Sequence, residues 1–250
     1  MDVAERIALG VVDAERKRRE RVVGAEVVEL DGYVLAFSNQ PDPALNGVAV
    51  VHEPLDPAGS LRLAEAECAR RAQPLGVDLQ RGRHPSVDAA VRMLGLSLVI
   101  ERPAMAADPA ALAAAPPPKV EICRVTTDAD VEALVAVGVA AFDDDPQVGR
   151  AVYGAGARGV EGVHTFVAWE GDDPVGISAG YFVRGAVSVM GVAVVPEARH
   201  RGIGAALTVH AARAFPGADL AWLHPSDMAS RMYEGLGFEP VSDWEIWVRA

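Results

Sequence analysis

The sequence of 250 residues has few cysteines and a deficit of positive charge. Its two cysteines, Cys68 and Cys123, lie far apart, so neither a disulfide framework nor a zinc site is expected. The 23 lysines and arginines are outnumbered by 35 aspartates and glutamates, which gives a net charge of -12. Because such a chain repels the phosphates of DNA and RNA, we expect no nucleic acid partner. Any anionic ligand must then be held at a local basic site.

Long apolar runs are also missing. The longest uncharged strand-like run, residues 185–196, has about a dozen residues, whereas a membrane-spanning helix needs about 20. The first residues are charged and lack the apolar core of a signal peptide. Half of the residues are apolar and 23% are charged, which is typical of globular proteins. We therefore expect a cytoplasmic protein with no membrane partner.

A segment of almost only alanine and proline, residues 103–119, divides the chain. Its three consecutive prolines at 116–118 favour an extended, semi-rigid spacer. The length of the chain is compatible with one or two domains. The sequence therefore predicts an N-terminal domain at 1–105, an Ala/Pro-rich linker at 106–119 and a C-terminal domain at 120–250.

Both halves alternate strand and helix patterns. Before the spacer, helices are expected at 2–21, 60–73 and 86–94, and strands at 25–30, 33–37, 47–52, 75–79 and 97–102. After it, helices are expected from Thr127 to about 141, from about 202, and at 226–236. The strands of this half are expected at 120–125, 164–170, 175–183, 186–194, 219–223 and 244–248. Hairpins mixed with strand–helix–strand crossovers indicate an α/β (α+β layered) fold, with mixed, mostly antiparallel sheets flanked by helices.

The most informative segment is residues 192–207. An apolar strand ends at Pro196, and three basic or potentially basic residues follow: Arg199, His200 and Arg201. Gly202 and Gly204 then open an apolar helix. Unpaired N–H groups and the positive end of the helix dipole favour an anion there, and glycines let the backbone approach it closely. The segment therefore predicts a site for a pyrophosphate.

Three kinds of phosphate loop can be compared with this segment. A Walker A loop requires Lys-Ser/Thr after its last glycine, but Ala205 and Ala206 stand there. A dinucleotide fingerprint requires Gly or Ala where Leu207 stands, and an acidic residue at the end of the next strand is missing. The pattern Arg/Gln-x-x-Gly-x-Gly/Ala is matched fully by Arg199, Gly202 and Gly204. In this segment the sequence resembles the GNAT superfamily of acyl-CoA-dependent N-acyltransferases.

A second motif supports the resemblance. Residues 223–238 are similar to the strand–helix unit of the family that ends in Tyr-x-x-x-Gly-Phe, here Tyr233, Gly237 and Phe238. Ser226 is expected to cap this helix, and Gly237 to end it in a left-handed conformation. The resemblance covers residues 120–250. The first half resembles a degenerate copy, so the whole chain is expected to be a tandem GNAT-like fold in which the first half has no coenzyme site.

The resemblance implies an acetyl-CoA-dependent N-acetyltransferase that transfers the acetyl group directly to a primary amine of a small acceptor. It implies that Tyr233 is the general acid for the leaving thiolate. A bulge at Gly191 would free an N–H near Val192 to polarise the thioester carbonyl, although Gly191 could also simply relieve crowding. The coenzyme site would comprise Val192, Ala193, Val194, Arg199, His200, Arg201, Gly202, Ile203, Gly204 and Ala205.

The general base is the open question. The strand 186–194 contains no carboxylate, whereas many members of the family carry a glutamate on the sheet. His224 is the candidate because of its pKa range, and the carboxylate of Ala250 is the alternative. Asp143, Asp144 and Asp145 either form a solvated acidic turn or attract a cationic amine to the acceptor site. Six scattered histidines show no ligand spacing, so no metal is expected.

A second class of function is a catalytically silent acyl-CoA-binding or regulatory module, because the strand lacks a carboxylate and the first half is degenerate. The sequence leaves open the acceptor and the oligomeric state, for which a homodimer is one alternative.

Overall fold

A computed structural model describes residues 1–20, 22, 24–38, 46–113, 119–154 and 156–249. The chain forms two compact units. Unit 1 comprises Met1–Arg19, Gly24–Ala104 and Pro240–Ala250, and unit 2 comprises Glu20–Val23 and Met105–Glu239. Each unit contains a β-sheet with helices against its faces.

Unit 1 begins with a helix and a three-stranded meander. Its helices are α1 (Val3–Glu20), α2 (Pro57–Arg70) and α3 (Pro85–Met93). Its strands are β1 (Glu26–Leu30), β2 (Tyr33–Phe37), β3 (Gly47–Val50), β4 (Gly76–Gln80), most of β5 (Ser97–Ala107), and β11 (Glu239–Val248) from the C-terminus. The expected tight turn joins β1 and β2, since Gly32 has a φ of +76°.

Unit 1 combines antiparallel and parallel strand pairs. Strands β1, β2 and β3 pair in an antiparallel order, β3 and β4 pair in parallel, and β11 lies antiparallel to β4. Helix α2 makes the crossover between β3 and β4. Helices α2 and α3 bury one face of the sheet with residues such as Leu61, Val87 and Leu79, and α1 covers the other face through Val12.

Unit 2 repeats this arrangement of strands. Its strands are β6 (Glu121–Arg124), β7 (Val163–Glu170), β8 (Asp173–Val183), β9 (Ala186–Val194) and β10 (Leu220–Leu223), together with the last residues of β5. Its helices are α4 (Asp128–Phe142), α5 (Pro146–Gly149), α6 (Ile203–Ala212) and α7 (Ser230–Leu236), with a π-helical turn at Arg150–Gly154. Strands β6 to β9 are antiparallel, and α6 makes the crossover to β10, which is parallel to β9.

The two faces of the sheet in unit 2 are covered by different helices. Helices α6 and α7 pack on one face, where Leu207 and Leu236 belong to the same buried cluster as Phe238. Helix α4 packs on the other face through Leu134 and Val137. Thr127 caps α4 as expected, in a capping box with Asp130. Among the described helices, none combines the length and the apolar character needed to cross a bilayer.

The expected fold class is confirmed, but the structure divides the chain differently from the sequence pattern. Strand β5 continues to Ala107, and its last residues pair with β10, so Ala106 lies opposite Trp222. The following residues also belong to unit 2, because Arg213 donates to the carbonyls of Pro109 and Leu112 at 2.8 Å. Residues 114–118 of the expected linker lie outside the described residues.

The C-terminal strand differs as well. Residues 240–250 belong to unit 1, where Trp244 pairs with Gln80 and Trp247 with Val77. A strand is placed by the partner with which it pairs, and that partner lies far away in the sequence. The order β1-β2-β3-α2-β4-α3 in unit 1 corresponds to the order β7-β8-β9-α6-β10-α7 in unit 2. This topology supports the duplication that the sequence suggests, which stays a prediction.

Candidate functional site

The candidate site of unit 2 begins where β9 and β10 part. The parallel pairing of these strands ends at Trp222 and Ser188. Strand β9 continues to Val194, and no described strand pairs with residues 189–194 on the side of β10. The backbone of this part of β9 therefore has donors and acceptors available to an extended ligand.

A bulge lies in the same part of β9. The pairing with β8 shifts between Ala179–Met190 and Ile177–Ala193, so that Gly191 and Val192 together lie opposite one residue. Gly191 has a φ of +61° and is exposed. The bulge expected at Gly191 is thus confirmed, and a bulge of this kind leaves one backbone group out of the ladder.

The helix that follows β9 starts without a side-chain cap. A short 3-10 turn at Pro196–Ala198 leads to Gly202, the N-cap residue of α6, which has a φ of +80°. Glycine supplies no capping atom, so the N–H groups at the start of α6 have no side-chain partner. The side chain of Ile203 is buried in the core, which leaves its backbone as the part that can contact a ligand.

Two arginines near this helix start have different partners. The guanidinium of Arg199 donates to the carbonyls of Val194 at 3.1 Å and of Ala141 at 3.0 Å. Arg199 therefore ties the end of β9 to the end of α4. Arg201 is exposed and forms an ion pair with Glu170 at the end of β7. This hydrogen bond holds the pKa of the Glu170 carboxyl below its ordinary value.

The helix start in unit 1 that corresponds to the start of α6 has a side-chain cap. Helix α2 follows β3 as α6 follows β9, but Asp56 caps α2 by accepting from the N–H of Gly59 at 2.9 Å. Pro57 at the first helical position has no N–H to offer. The start of α2 therefore already carries an anion of its own, which disfavours a phosphate there.

Tyr233 lies on α7 with its side chain in the core. It is 7% exposed and contacts the Phe238 ring edge-to-face at a centroid distance of 5.9 Å. Burial raises the pKa of the phenol, and the hydroxyl of Thr208 opposes this increase. The phenol is therefore protonated at neutral pH, as a general acid requires.

His224 and the predicted cap of α7 lie on the segment after β10. His224 is half-buried and contacts Trp222 edge-to-face, with ring centroids 5.8 Å apart. The prediction that Ser226 caps the helix is wrong: α7 begins at Ser230 with Ala229 as its N-cap residue. The N–H of Ala229 bonds the carbonyl of Ser226 at 2.9 Å, so a turn precedes the helix. Gly237 ends α7 with a φ of +98°, as expected.

The acidic triplet has structural partners. Asp143 is the left-handed C-cap residue of α4, Asp144 accepts from the Tyr153 hydroxyl at 3.1 Å, and Asp145 caps α5 by accepting from the N–H of Gln147 at 2.8 Å. These contacts favour a local structural role over attraction of an amine.

Neither thiol has the environment of a nucleophile. Burial raises the pKa of Cys68 to about 11, and burial together with Glu121 raises the pKa of Cys123. No group of three His, Cys, Asp or Glu side chains within the described ranges could hold a metal ion. Ala250, the alternative base, lies outside the described residues.

Glu170 lies near the site and was not singled out by the sequence. It acts through a partner on another element, Arg201. This pairing leaves no signal in local spacing.

The chain is similar to known proteins in sequence and in fold. Residues 161–240 match the family model of the acetyltransferase (GNAT) domain. The fold is similar to that of a GCN5-related N-acetyltransferase from Kribbella flavida, with a TM-score of 0.78 and 24% identity over 99% of this chain and 96% of that chain. A GCN5-related N-acetyltransferase from Sphaerobacter thermophilus gives a TM-score of 0.64 and 16% identity over 87% of this chain and 76% of that chain.

A tandem GNAT protein from the clavulanic acid biosynthesis pathway gives a TM-score of 0.61 and 16% identity over 87% of this chain and 78% of that chain. No curated protein matches the sequence. The fold of the chain is thus that of GCN5-related N-acetyltransferases. Residues 161–240 of its second unit match the GNAT domain model, which confirms the resemblance drawn from Arg199, Gly202 and Gly204 and supports acyl transfer in general.

Proposed function

We propose that unit 2 binds acetyl-CoA and transfers the acetyl group directly to a primary amine of a small acceptor. The observation that carries the proposal is the open edge of β9 leading into the uncapped start of α6. An extended chain with an anionic end fits such an edge, because one part pairs with a strand and the other binds helix N–H groups. A cytoplasmic location is part of the proposal.

Each end of the coenzyme has its own contacts in this proposal. The pyrophosphate lies at the N–H groups of Gly202, Ile203, Gly204 and Ala205, with His200 and Arg201 beside it. The pantetheine arm runs back along Val194, Ala193 and Val192. Arg199 acts indirectly, because its guanidinium already bonds the carbonyls of Val194 and Ala141 and so shapes the loop.

The chemistry requires three proton and charge adjustments. An N–H at the Gly191 bulge donates to the thioester carbonyl as negative charge develops on its oxygen. The amine loses a proton to His224, its nitrogen forms a bond to the carbonyl carbon, and the carbon–sulfur bond breaks. Tyr233 gives its phenolic proton to the departing thiolate. A covalent acetyl-cysteine intermediate is not part of the proposal, because the raised pKa of each thiol keeps it protonated.

Unit 1 serves as a degenerate copy without a coenzyme site. Asp56 and Pro57 at the start of α2 support this part of the proposal, since they leave no bare helix start for a phosphate. The second candidate function is a silent acyl-CoA-binding module. It is favoured by the lack of a carboxylate on β9 and by the depth at which the Tyr233 side chain is buried.

Titration of the protein with CoA, together with a thiol-release assay across a panel of primary amines, tests the proposal. Arg201→Gln is expected to weaken CoA binding several-fold, because the loop loses a cation while an exposed ion pair contributes at most about 1 kcal/mol to folding. Arg150→Gln is the matched control, since Arg150 also pairs with one exposed glutamate, Glu132. Equal CoA affinity of both variants would contradict the assigned phosphate site.

Turnover distinguishes the enzyme from the silent module. Binding of CoA without thiol release for any amine would favour the module. Tyr233→Phe is expected to lower kcat more than CoA affinity, since the ring still packs against Phe238 while the acidic proton is gone. Unchanged kcat in this variant would remove Tyr233 as the acid.

A further inference from the structure

Two buried polar side chains of unit 2 lie where β9 and β10 part. Ser188 and Trp222 form the last pair of residues in the parallel pairing of these strands. Ser188 is fully buried, and Trp222 is 1% exposed. Among the described residues, neither the hydroxyl oxygen of Ser188 nor the indole nitrogen of Trp222 has a hydrogen-bond partner. Because a buried polar group without a partner is costly, these two groups point to a partner that the chain does not supply.

Both side chains lie on the same face of the sheet. Residues that pair in register point to one face, and successive residues of a strand alternate between the faces. The neighbouring residues Val187, Val189 and Ala221 point to the opposite face, where they belong to the cluster that α6 and α7 cover. The ring of His224 contacts the indole of Trp222 edge-to-face, with centroids 5.8 Å apart. The proposed base is therefore a neighbour of the indole.

The gap between the two strands beyond this pair, here called the fork, leads to solvent. Along β9, burial ends two residues after Ser188, because Met190 is half-buried and Gly191 at the bulge is exposed. On the other side of the fork, His224 is half-buried. Ser188 and Trp222 therefore form the closed end of the fork. The proposed positions of the thioester carbonyl, at Gly191, and of the base, at His224, lie nearer its mouth.

The corresponding pair of residues in unit 1 differs in chemistry. The parallel pairing of β3 and β4 ends at Ala49 and Asp78. Ala49 has no polar side-chain atom, and one oxygen of Asp78 accepts from the guanidinium of Arg102 at 2.6 Å. The pair of uncharged donors thus occurs in the unit that carries the proposed coenzyme site.

The chemistry of the two groups limits what they can bind. An indole N–H only donates, and a serine hydroxyl donates or accepts. Both groups are uncharged, so they fit a neutral oxygen, since a buried carboxylate would need a cation as its partner. A ligand that reaches Trp222 with this oxygen is also close to His224, which accepts the proton of the amine in the proposed reaction.

We propose that Ser188 and Trp222 determine the specificity for the acceptor by donating hydrogen bonds to a neutral oxygen close to its primary amine, as in an amino alcohol or an amino amide. The inference rests on the proposed function and names the class of its acceptor. An alkylamine of the same size would leave both groups without a partner, and a site built for a polar group rejects an analogue that lacks it.

Two pairs of probes with matched size test this preference. Ethanolamine and propylamine differ in a hydroxyl against a methyl group, and glycinamide and glycine differ in a neutral amide against a carboxylate. In the thiol-release assay, kcat/KM should be about tenfold or more higher for ethanolamine than for propylamine. It should also be higher for glycinamide than for glycine. Equal values within each pair would contradict the assigned class of acceptor.

Three substitutions connect the preference to the two side chains. Trp222→Phe keeps an aromatic ring and removes the N–H, and Ser188→Ala removes the hydroxyl. Ser178→Ala is the matched control, because Ser178 is also a buried serine of unit 2 but its hydroxyl donates to the carbonyl of Leu207 at 3.2 Å. The first two variants should lower the ratio of kcat/KM for ethanolamine to that for propylamine about three- to tenfold, the loss expected for one hydrogen bond. The control should leave this ratio unchanged.

The affinity for CoA separates an acceptor site from a coenzyme site. CoA should bind equally well to the unaltered protein, Ser188→Ala and Trp222→Phe. An unchanged ratio in both variants would overturn the inference, since buried water would then be the partner of both groups. A loss confined to CoA affinity would also overturn it, because the two side chains would then contact the coenzyme.

Indole N–H signals in NMR spectra give a readout that needs no turnover. The chain has four tryptophans, and the signal of Trp222 is the one that Trp222→Phe lacks. If that variant does not fold, Trp→Phe variants of the other three identify the signal by elimination. Ethanolamine added to the CoA complex should shift this signal, and propylamine should not. The absence of a shift would overturn the inference, whereas failure of the unaltered protein to bind CoA would overturn the proposed function, so the two failures are distinguishable.

Discussion

Two glycines at the start of α6 are expected to respond in opposite ways to the same substitution. Gly202 has a φ of +80°, a conformation that costs an L-residue about 1–2 kcal/mol. Gly202→Ala should therefore destabilise unit 2 by about that amount. It should also weaken CoA binding, because the strained residue must rotate and carry the N–H groups of α6 with it.

Gly204 is the second residue of α6 and has room for a methyl group. A Cβ there would stand 3.5 Å from the sulfur of Met232 and 3.8 Å from a methyl carbon of Val194, which are ordinary contacts. Alanine in a helix is favoured over glycine by about 0.5–1 kcal/mol. Gly204→Ala should therefore stabilise unit 2, and CoA binding should persist because the N–H group of residue 204 is retained.

The two variants are thus expected to differ by roughly 1.5–3 kcal/mol in the free energy of unfolding, with opposite signs relative to the unaltered protein. Both lose the same flexibility in the unfolded chain, so that contribution cancels from the comparison. Urea denaturation followed by tryptophan fluorescence, together with hydrogen exchange of α6, measures the difference. Shifts of the same sign and size would refute the assigned geometry of the turn.

Two further predictions concern pH and the boundaries of the units. His164 stacks on Phe215 with ring centroids 4.1 Å apart, and burial, followed by Arg124, lowers its pKa. Unit 2 should therefore lose stability as the pH falls through the pKa of histidine in the unfolded chain, about 6.5. His164→Gln should make this loss smaller when urea midpoints are measured from pH 7.5 to 5.5, about one unit to either side of that pKa. An equal dependence of the urea midpoint on pH in both proteins would contradict the prediction. The fragment 105–239 should be more stable than the fragment 120–250. The first fragment keeps Ala106 opposite Trp222 and the carbonyls that Arg213 binds, whereas the second adds a strand whose partner is β4. A wider dispersion of amide chemical shifts and a higher urea midpoint for 120–250 would refute this prediction.

Local signals predicted the parts of the site that depend on neighbours in the sequence. The strand, the turn and the helix start at Arg199–Gly204 follow from residue types within one segment, since positive φ angles and bare helix ends need glycine. The bulge at Gly191 and the end of α7 at Gly237 were predicted for the same reason. Ser226 was assigned one turn too early, because a capping residue is equally typical of an isolated turn.

Contacts over long sequence distances were not predictable. Arg199 looked like a free cation, but the end of α4 supplies a carbonyl, at Ala141, that binds its guanidinium. The last strand looked like part of the second half, but Trp244 pairs with Gln80 of β4. In each case the partner lies on a different element, and no spacing rule connects the two.

The sequence by itself determined most of the element order, the glycine-rich turn after β9 that is predicted to bind phosphate, and the GNAT resemblance. These features are local, and each is encoded by the residues that form it. Only the tertiary structure decided that β11 pairs with β4, that the end of β5 pairs with β10, and that Arg199 bonds the carbonyl of Ala141. The physical reason is that a strand or a guanidinium satisfies its hydrogen bonds with whichever partner the packed fold brings near, however distant that partner is along the chain.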